Sequence, residues 1–131
     1  MKRTTLLHAE LSEVIARLGH GDLLVIGDAG LPIPDGPRRI DLAVSANVPR
    51  FADVLAAVLA EMQVERALIA DEFAPANAAV HAELMRQLGH TPVMTMSHEH
   101  FKEATRGARA IVRTGEFSPY ANVILRAGVT F

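Results

Sequence analysis

Apolar residues in this chain follow two spacings, one typical of an amphipathic helix and the other of a buried strand. Leu11, Val14, Ile15 and Leu18 recur at helical intervals, which predicts a helix over residues 10–18. The run LLVIG is continuously apolar, as in strands covered on both faces. The same patterns predict strands at residues 23–27, 40–44, 64–70, 91–96, 110–115 and 121–127, and helices at residues 10–18, 51–62 and 76–88.

Capping residues and glycines mark the helix boundaries. Asn47 is predicted to cap the helix over 51–62, with Pro49 in its first turn. Ser97 is predicted to cap a further short helix, HEHFKEAT. Gly19 and Gly89 follow the last apolar residues of two other helices, where helices commonly end. Because helices and strands alternate, we expect a layered α/β fold formed by a single domain over residues 1–131.

Composition narrows the classes of function. Of the 131 residues, 50% are hydrophobic but only 5% are aromatic, so aliphatic side chains must form most of the core. The net charge of −2 argues against nucleic-acid binding, which needs a basic face. No apolar stretch approaches the roughly 20 residues that cross a bilayer, so we expect no membrane span. The absence of Cys excludes disulfides and thiol chemistry, and it fits a cytoplasmic protein.

Two polar side chains flank the first predicted strand. His20 precedes LLVIG and Asp28 follows it, at the start of the loop DAGLPIPDG. Strand ends that lead into such loops are common ligand sites in α/β proteins. Taken alone, His20 can also be a helix-end residue, and Asp28 can be a turn residue that bonds local backbone. A nucleotide cofactor is not expected, because GDAG at residues 27–30 has the wrong glycine spacing for a phosphate loop.

A second polar segment precedes the last predicted strand. Ser118, Tyr120 and Asn122 lie in GEFSPYANVIL, and their hydroxyl, phenol and amide groups suit sugar hydroxyls. A Ser-Pro turn leading into a core strand explains the same residues equally well. His98 and His100 form H-x-H, which on a strand can suit a metal ion. The helix predicted after Ser97 separates the two rings, so we do not expect a metal site.

Several segments form one pattern that spans the chain: RLGHGD, DAGLPIP, IDLAV, EMQVE, SHEHFK, RTGEFSPYANVIL and AGVTF. Together, and in this order, they resemble the D-ribose pyranase family. The related L-fucose mutarotases share the Gly-His-Gly-Asp and Tyr-x-Asn segments but lack the DAGLPIP run. The chain is therefore more similar to the ribose group.

The resemblance implies a three-layer α/β/α sandwich with a largely parallel or mixed central sheet. It also implies an isomerase that interconverts the pyranose and furanose forms of D-ribose and supplies the furanose to ribokinase. No metal or organic cofactor is implied. The implied partners are D-ribose and further copies of the chain, arranged as pentameric rings stacked into a decamer. The implied location is the cytoplasm, beside ribose uptake.

The family's motifs also imply roles for particular residues. The resemblance implies that His20 is the catalytic acid. An imidazole titrates near neutral pH, so it can protonate the ring oxygen and take a proton from the anomeric hydroxyl. The resemblance implies that the substrate is bound by Asp28, His98, Tyr120, Ala121 and Asn122, and Lys102 lies in the same stretch as His98.

The spacing of His20 and Asp28 constrains how they can act together. One strand separates them, so their Cα atoms can be about 26 Å apart. If both contact one ribose, the simplest arrangement takes His20 from one subunit and Asp28, His98 and Tyr120 from its neighbour. Three other functions remain open: ring isomerisation of another monosaccharide, a non-catalytic sugar-binding accessory of ribose uptake, and a purely structural ring-former.

Overall fold

The computed structural model describes residues 1–131 and contains six strands, five α-helices and one 3-10 turn. The strands are β1 (Leu23–Gly27), β2 (Arg38–Asp41), β3 (Val64–Ala70), β4 (Val93–Met96), β5 (Ala110–Arg113) and β6 (Val123–Ala127). The helices are α1 (Ala9–Arg17), α2 (Phe51–Leu59), α3 (Phe73–Ala76), α4 (Ala78–Leu88) and α5 (His98–Ala104), and the 3-10 turn covers Thr105–Gly107.

The strands form one sheet in the order β2-β5-β1-β6-β3-β4. The β2–β5, β5–β1 and β3–β4 pairs are parallel, and β6 is antiparallel to both of its neighbours, β1 and β3. All strands except β6 therefore run in one direction. Their last residues lie at one edge of the sheet, together with the start of β6, and we call this the carboxyl edge. Their first residues and the end of β6 lie at the opposite edge, the amino edge.

Side chains on the strands alternate between two hydrophobic cores. Leu24 and Ile26 of β1 face the larger core, against α1, α2 and α4, whereas Val25 faces the smaller core against Phe101 of α5. This is the period-two alternation of strands. The larger core contains 22 buried residues and the smaller contains 7, so α5 and the 3-10 turn form a thin second layer. The predicted three-layer α/β/α sandwich with a mixed sheet is confirmed.

The strand bounds predicted at residues 23–27 and 64–70 agree with β1 and β3, but the second strand differs. A strand over residues 40–44 was expected from its apolar residues. Instead β2 begins at Arg38, because it pairs with β5 from Arg38 opposite Ala110 to Asp41 opposite Arg113. Only Ile40 of β2 is buried, and Val44 beyond it is exposed. Backbone pairing with β5, rather than apolar pattern, therefore sets the limits of this edge strand.

The predicted cap of the second helix is wrong. α2 begins at Phe51, whose amide donates to Glu116 Oε1 at 3.1 Å. The side chain of Asn47 instead accepts a hydrogen bond from the amide of Phe117 at 3.1 Å. A carboxylate 65 residues away thus replaces the local cap that the sequence suggests.

Two predicted helices have different limits in the structure. The helix expected over residues 51–62 ends at Leu59. The helix expected over residues 76–88 is divided at Asn77, whose φ of −149° is not helical, so the short α3 precedes α4. The predicted capping of α5 by Ser97 is confirmed, because its side chain accepts from the amide of His100.

No helix in the structure is both long enough and apolar enough to cross a membrane. The final residues follow β6 away from the core. Val129 and Phe131 are exposed, although the amide of Gly128 donates to the carbonyl of Gln63 at 2.9 Å.

Gly115 permits close packing of the segment between β5 and β6 against residues 45–48. A Cβ added there would lie 2.5 Å from the carbonyl oxygen of Val48 and 2.7 Å from that of Ser45. We expect Gly115→Ala to lower the free energy of unfolding by about 1–3 kcal/mol, because backbone atoms must move. Urea unfolding at one matched protein concentration measures this change. Gly107→Ala is the control, because a Cβ at Gly107 meets nothing within 4 Å. An equal loss in both variants would contradict the prediction.

Candidate functional site

Asp28 and Asn122 meet at the carboxyl edge, where β1 ends and β6 begins. The amide of Asp28 donates to Asn122 Oδ1 at 2.8 Å, and Asn122 Nδ2 donates to Asp28 Oδ2 at 3.1 Å. The amide of Gly30 donates to the other carboxylate oxygen of Asp28 at 2.9 Å. Asn122 is buried, and the oxygen and the nitrogen of its side-chain amide both form hydrogen bonds with Asp28. The antiparallel pairing of β1 with β6 creates this contact between residues 94 positions apart.

Burial raises the pKa of Asp28 above the ordinary value of 3.8. The hydrogen bonds from Gly30 and Asn122 and the nearby His98 oppose this rise. The carboxylate is therefore held in one orientation in a partly desolvated position. Such a group is suited to accept hydrogen bonds from the hydroxyls of a bound ligand.

His98 and Tyr120 form an aromatic wall beside this pair. Their rings pack edge to face with centroids 5.0 Å apart, and Phe101 stacks on His98 with centroids 6.2 Å apart. The amide of His98 donates to both carboxylate oxygens of Glu72 at 3.1 Å. Tyr120 has a φ of 58°, a left-handed backbone conformation that residues other than glycine seldom adopt. The Nδ1 atom of His98 is buried and has no hydrogen-bond partner in the protein.

Glu116 organises the loop between β5 and β6. Its carboxylate accepts from the amide of Phe51 at 3.1 Å and from Ser118 Oγ at 2.7 Å, and its carbonyl accepts from the amide of Ala29 at 2.9 Å. Sequence reasoning missed this buried carboxylate, because no local pattern marks a partner so distant along the chain. A groove of about 350 Å³ opens here, which is within the range of small-molecule sites. It is lined by Asp28, Ala29, Gly30, Arg113, Glu116, Phe117, Ser118 and Pro119.

His20 lies at the amino edge, in the turn between α1 and β1. Its Nε2 lies 2.8 Å from Glu65 Oε2, within hydrogen-bond distance, and Arg126 Nε donates to Glu65 Oε1 at 2.7 Å. The hydrogen bond from His20, followed by that from Arg126, lowers the pKa of Glu65. Sequence reasoning assigned no role to Glu65 or Arg126. Glu65 is 45 residues away from His20 along the chain, and Arg126 is 61 residues away from Glu65.

The turn that carries His20 is fixed by its own hydrogen bonds. The amide of Gly19 donates to Asp22 Oδ2 at 2.8 Å, and the amide of Gly21 donates to the carbonyl of Ala127 at 2.8 Å. Gly21 has a φ of 87°, a conformation that favours glycine. The bond from Gly19, followed by the bond from Arg109, lowers the pKa of Asp22. His20 is therefore presented on a defined turn, and its side chain is 58% exposed.

The structure thus divides the sequence-predicted residues between two edges. Asp28, His98, Tyr120 and Asn122 lie together at the carboxyl edge, and Ala121 is buried between the last two. Lys102 Nζ pairs with Glu99 at 2.8 Å. His20 lies at the other edge and contacts none of them. His98 and His100 both lie on α5, and no group of three His, Cys, Asp or Glu side chains is arranged to hold a metal ion.

These features define an α/β sandwich with one antiparallel strand at the centre of its sheet and a polar site where that strand begins. A sequence model of the RbsD / FucU transport protein family matches residues 1–130, and the chain belongs to this family.

Relatives of known name resemble the chain over its full length. D-ribose pyranase of Paracidovorax citrulli (strain AAC00-1) is 65% identical over 133 residues, and the match covers 100% of both chains. D-ribose pyranase of Symbiobacterium thermophilum is 62% identical over 131 residues, again with 100% of both chains covered.

Two solved structures have a similar fold. Bacillus subtilis RbsD complexed with D-ribose is 44% identical, with a TM-score of 0.97 and 100% of both chains covered. The fucose mutarotase of Streptococcus pneumoniae in complex with L-fucose is 25% identical, with a TM-score of 0.79, and the match covers 95% of this chain and 94% of that one. The arrangement of strands and helices is therefore shared with proteins that hold monosaccharides.

The contact between Asp28 and Asn122 predicts a pH effect in the isosteric variant Asn122→Asp. The new side chain keeps its acceptor for the amide of Asp28 but places a second carboxyl near 3.1 Å from the first. Two adjacent carboxyls resist double ionisation, so the folded-state pKa of the pair rises above the unfolded value. The Asn122→Asp variant is therefore most stable at acid pH. Its free energy of unfolding falls as pH rises through the folded-state pKa of the carboxyl pair.

Urea unfolding of the Asn122→Asp variant from about pH 4 to about pH 8 measures this loss. The control is Asn47→Asp, since that exposed side chain acts only as an acceptor, from the amide of Phe117. If Asn122→Asp changes with pH no more than the control does, the described contact is wrong.

Proposed function

We infer that this chain is a cofactor-independent isomerase that interconverts the pyranose and furanose forms of D-ribose. The observation that carries the inference is the polar cluster of Asp28, Asn122, His98 and Tyr120. It lies on a chain that matches ribose-complexed RbsD over its whole length with a TM-score of 0.97. Identity of 65% to a D-ribose pyranase supports the same substrate.

The reaction breaks the bond between the anomeric carbon and the ring oxygen and forms a new bond to a different hydroxyl oxygen, with proton transfers and no change of oxidation state. A pyranose is a cyclic hemiacetal, and its ring opens when the ring oxygen gains a proton and the anomeric hydroxyl loses one. The open-chain aldehyde then closes through a different hydroxyl to give the furanose. One acid/base group placed at the ring supplies about 10²–10⁴-fold acceleration. His20 is the group that we assign to these proton transfers.

The carboxyl-edge residues hold the sugar in this proposal. The Asp28 carboxylate accepts from ribose hydroxyls, and the imidazole of His98 bonds a further hydroxyl. Tyr120 contributes its phenol, and Asn122 keeps Asp28 oriented through its paired hydrogen bonds. Backbone groups around the buried Ala121 complete the set. Each group is fixed by protein contacts before the sugar arrives, which limits the entropy lost on binding.

The separation of the two edges favours a site shared between subunits. His20 of one chain approaches the Asp28 cluster of a neighbour, as in the pentameric rings stacked into a decamer that the family resemblance implies. Exposed apolar side chains support such an assembly, because Phe117 is 70% exposed beside the groove and Phe131 is fully exposed. We assign the protein to the cytoplasm, where the furanose is available to ribokinase.

The activity can be tested by NMR exchange spectroscopy on the anomeric protons of D-ribose. Catalytic amounts of protein are expected to speed exchange between pyranose and furanose signals. His20→Ala is expected to reduce this acceleration by about 10²–10⁴-fold, since the acid/base group is removed. His90→Ala, at another exposed histidine, serves as the control.

The outcomes separate the candidate functions. If the protein binds ribose but does not speed exchange between the pyranose and furanose signals, the assignment as an enzyme is contradicted. A non-catalytic sugar-binding accessory is then favoured. Acceleration restricted to another monosaccharide would contradict the assignment to ribose.

The shared site can be tested by mixing two inactive variants, His20→Ala and Asp28→Ala. If His20 and Asp28 of one site come from different chains, random reassembly of equal amounts restores about a quarter of the sites. Exchange rates measured after dissociation and reassembly are expected to recover accordingly. Wild-type protein treated in the same way is the control. Failure of the mixture to regain activity, while the control does, would contradict a site between subunits.

A further inference from the structure

The amino-edge contacts of His20 connect three elements of the fold. Glu65 lies where the register of β3 against β6 shifts between Val64 and Arg66. Such an irregularity redirects a side chain from the sheet face. The Glu65 carboxylate then lies between two donors, with His20 Nε2 on one oxygen and Arg126 Nε on the other, at 2.8 and 2.7 Å.

This arrangement determines which nitrogen of His20 carries the proton. An ionised carboxylate can only accept hydrogen bonds, so Nε2 must be the donor. Nδ1 is then the nitrogen without a proton in the neutral ring and the only one that can exchange a proton with a ligand. Arg126 occupies the remaining carboxylate oxygen, so Glu65 cannot turn away without losing a charged hydrogen bond.

We propose that Glu65, held by Arg126, is a positioning residue that fixes the Nε2–H tautomer of His20 and makes Nδ1 the atom that exchanges protons with the sugar. Glu65 acts through His20 and does not touch the substrate. The proposal rests on the proposed function for its catalytic consequence, but the tautomer itself is independent of that function. Other charged groups near the turn are engaged elsewhere, since Asp22 is bonded to Gly19 and Arg109.

The variant Glu65→Gln gives a sharp prediction because of Arg126. The guanidinium needs the single remaining oxygen of the amide, which turns the NH₂ group toward His20. An NH₂ group can only donate, so Nε2 must become an acceptor and the proton must move to Nδ1. The isosteric change therefore inverts the tautomer rather than only weakening the contact.

Two-bond ¹⁵N–¹H correlation spectra of protein labelled at histidine measure the tautomer directly, at a pH where the ring is neutral. His20→Ala identifies the His20 signals among those of the 6 histidines. Wild-type protein is expected to show a protonated Nε2 and an unprotonated Nδ1. Glu65→Gln is expected to exchange the two patterns. The matched control is Glu83→Gln, which alters another surface carboxylate paired with an arginine, Arg86.

A rescue experiment separates positioning from a general structural effect. In Glu65→Gln combined with Arg126→Leu, the amide oxygen is released to accept from Nε2, so the original tautomer should return. For ribose exchange, Glu65→Gln is expected to lower kcat by at least about tenfold with little change in KM, because Nδ1, which still faces the sugar, then carries the proton in the neutral ring and cannot accept one. The double variant is expected to recover part of that kcat.

The outcomes distinguish this proposal from the proposed function. An Nδ1–H tautomer in wild-type protein, or no tautomer change in Glu65→Gln, would overturn the role of Glu65. If wild-type protein shows the Nε2–H tautomer and its inversion but does not accelerate ribose exchange, the proposed function fails while the assignment of Glu65 as the tautomer-fixing residue stands. A fall in kcat without tautomer inversion would also contradict the proposal.

Discussion

The site depends on one antiparallel strand placed in the middle of an otherwise parallel sheet. Because β6 runs against β1 and β3, its first residues reach the edge where those strands end, and its last residues reach the edge where they begin. Asn122 is thereby brought to Asp28, and Arg126 is brought to Glu65. With β6 parallel, Asn122 would lie at the amino edge and Arg126 at the carboxyl edge, and both contacts would be lost. The direction of one strand therefore positions the residues at both edges.

Strand β1 separates the two groups of residues that we assign to the sugar. His20 and the Asp28 cluster lie at opposite edges of a packed sheet and do not contact each other. Each half is nevertheless ordered within its own chain, His20 by Glu65 and Asp28 by Asn122 and Gly30. In the proposed assembly, association of chains supplies the proximity of these oriented groups.

The sequence was most informative where local pattern determines structure. The limits of β1 and β3, the capping of α5 by Ser97 and the cluster around Asp28 all follow from apolar runs, caps and motif resemblance. It was least informative where a distant partner decides the outcome. Asn47 did not cap α2, because the carboxylate of Glu116 occupies that position. No local pattern predicts the contact of Glu65 with His20, since that contact depends on residues that only the folded sheet brings together.

We propose that one ribose is held by two chains, and a crystal structure of this protein with D-ribose can test this arrangement. The expected result is a sugar bonded to Asp28 and Tyr120 of one chain, with Nδ1 of His20 from a neighbouring chain facing its ring. Ribose bound with His20 of the same chain, or with no histidine from the amino edge near it, would contradict the account.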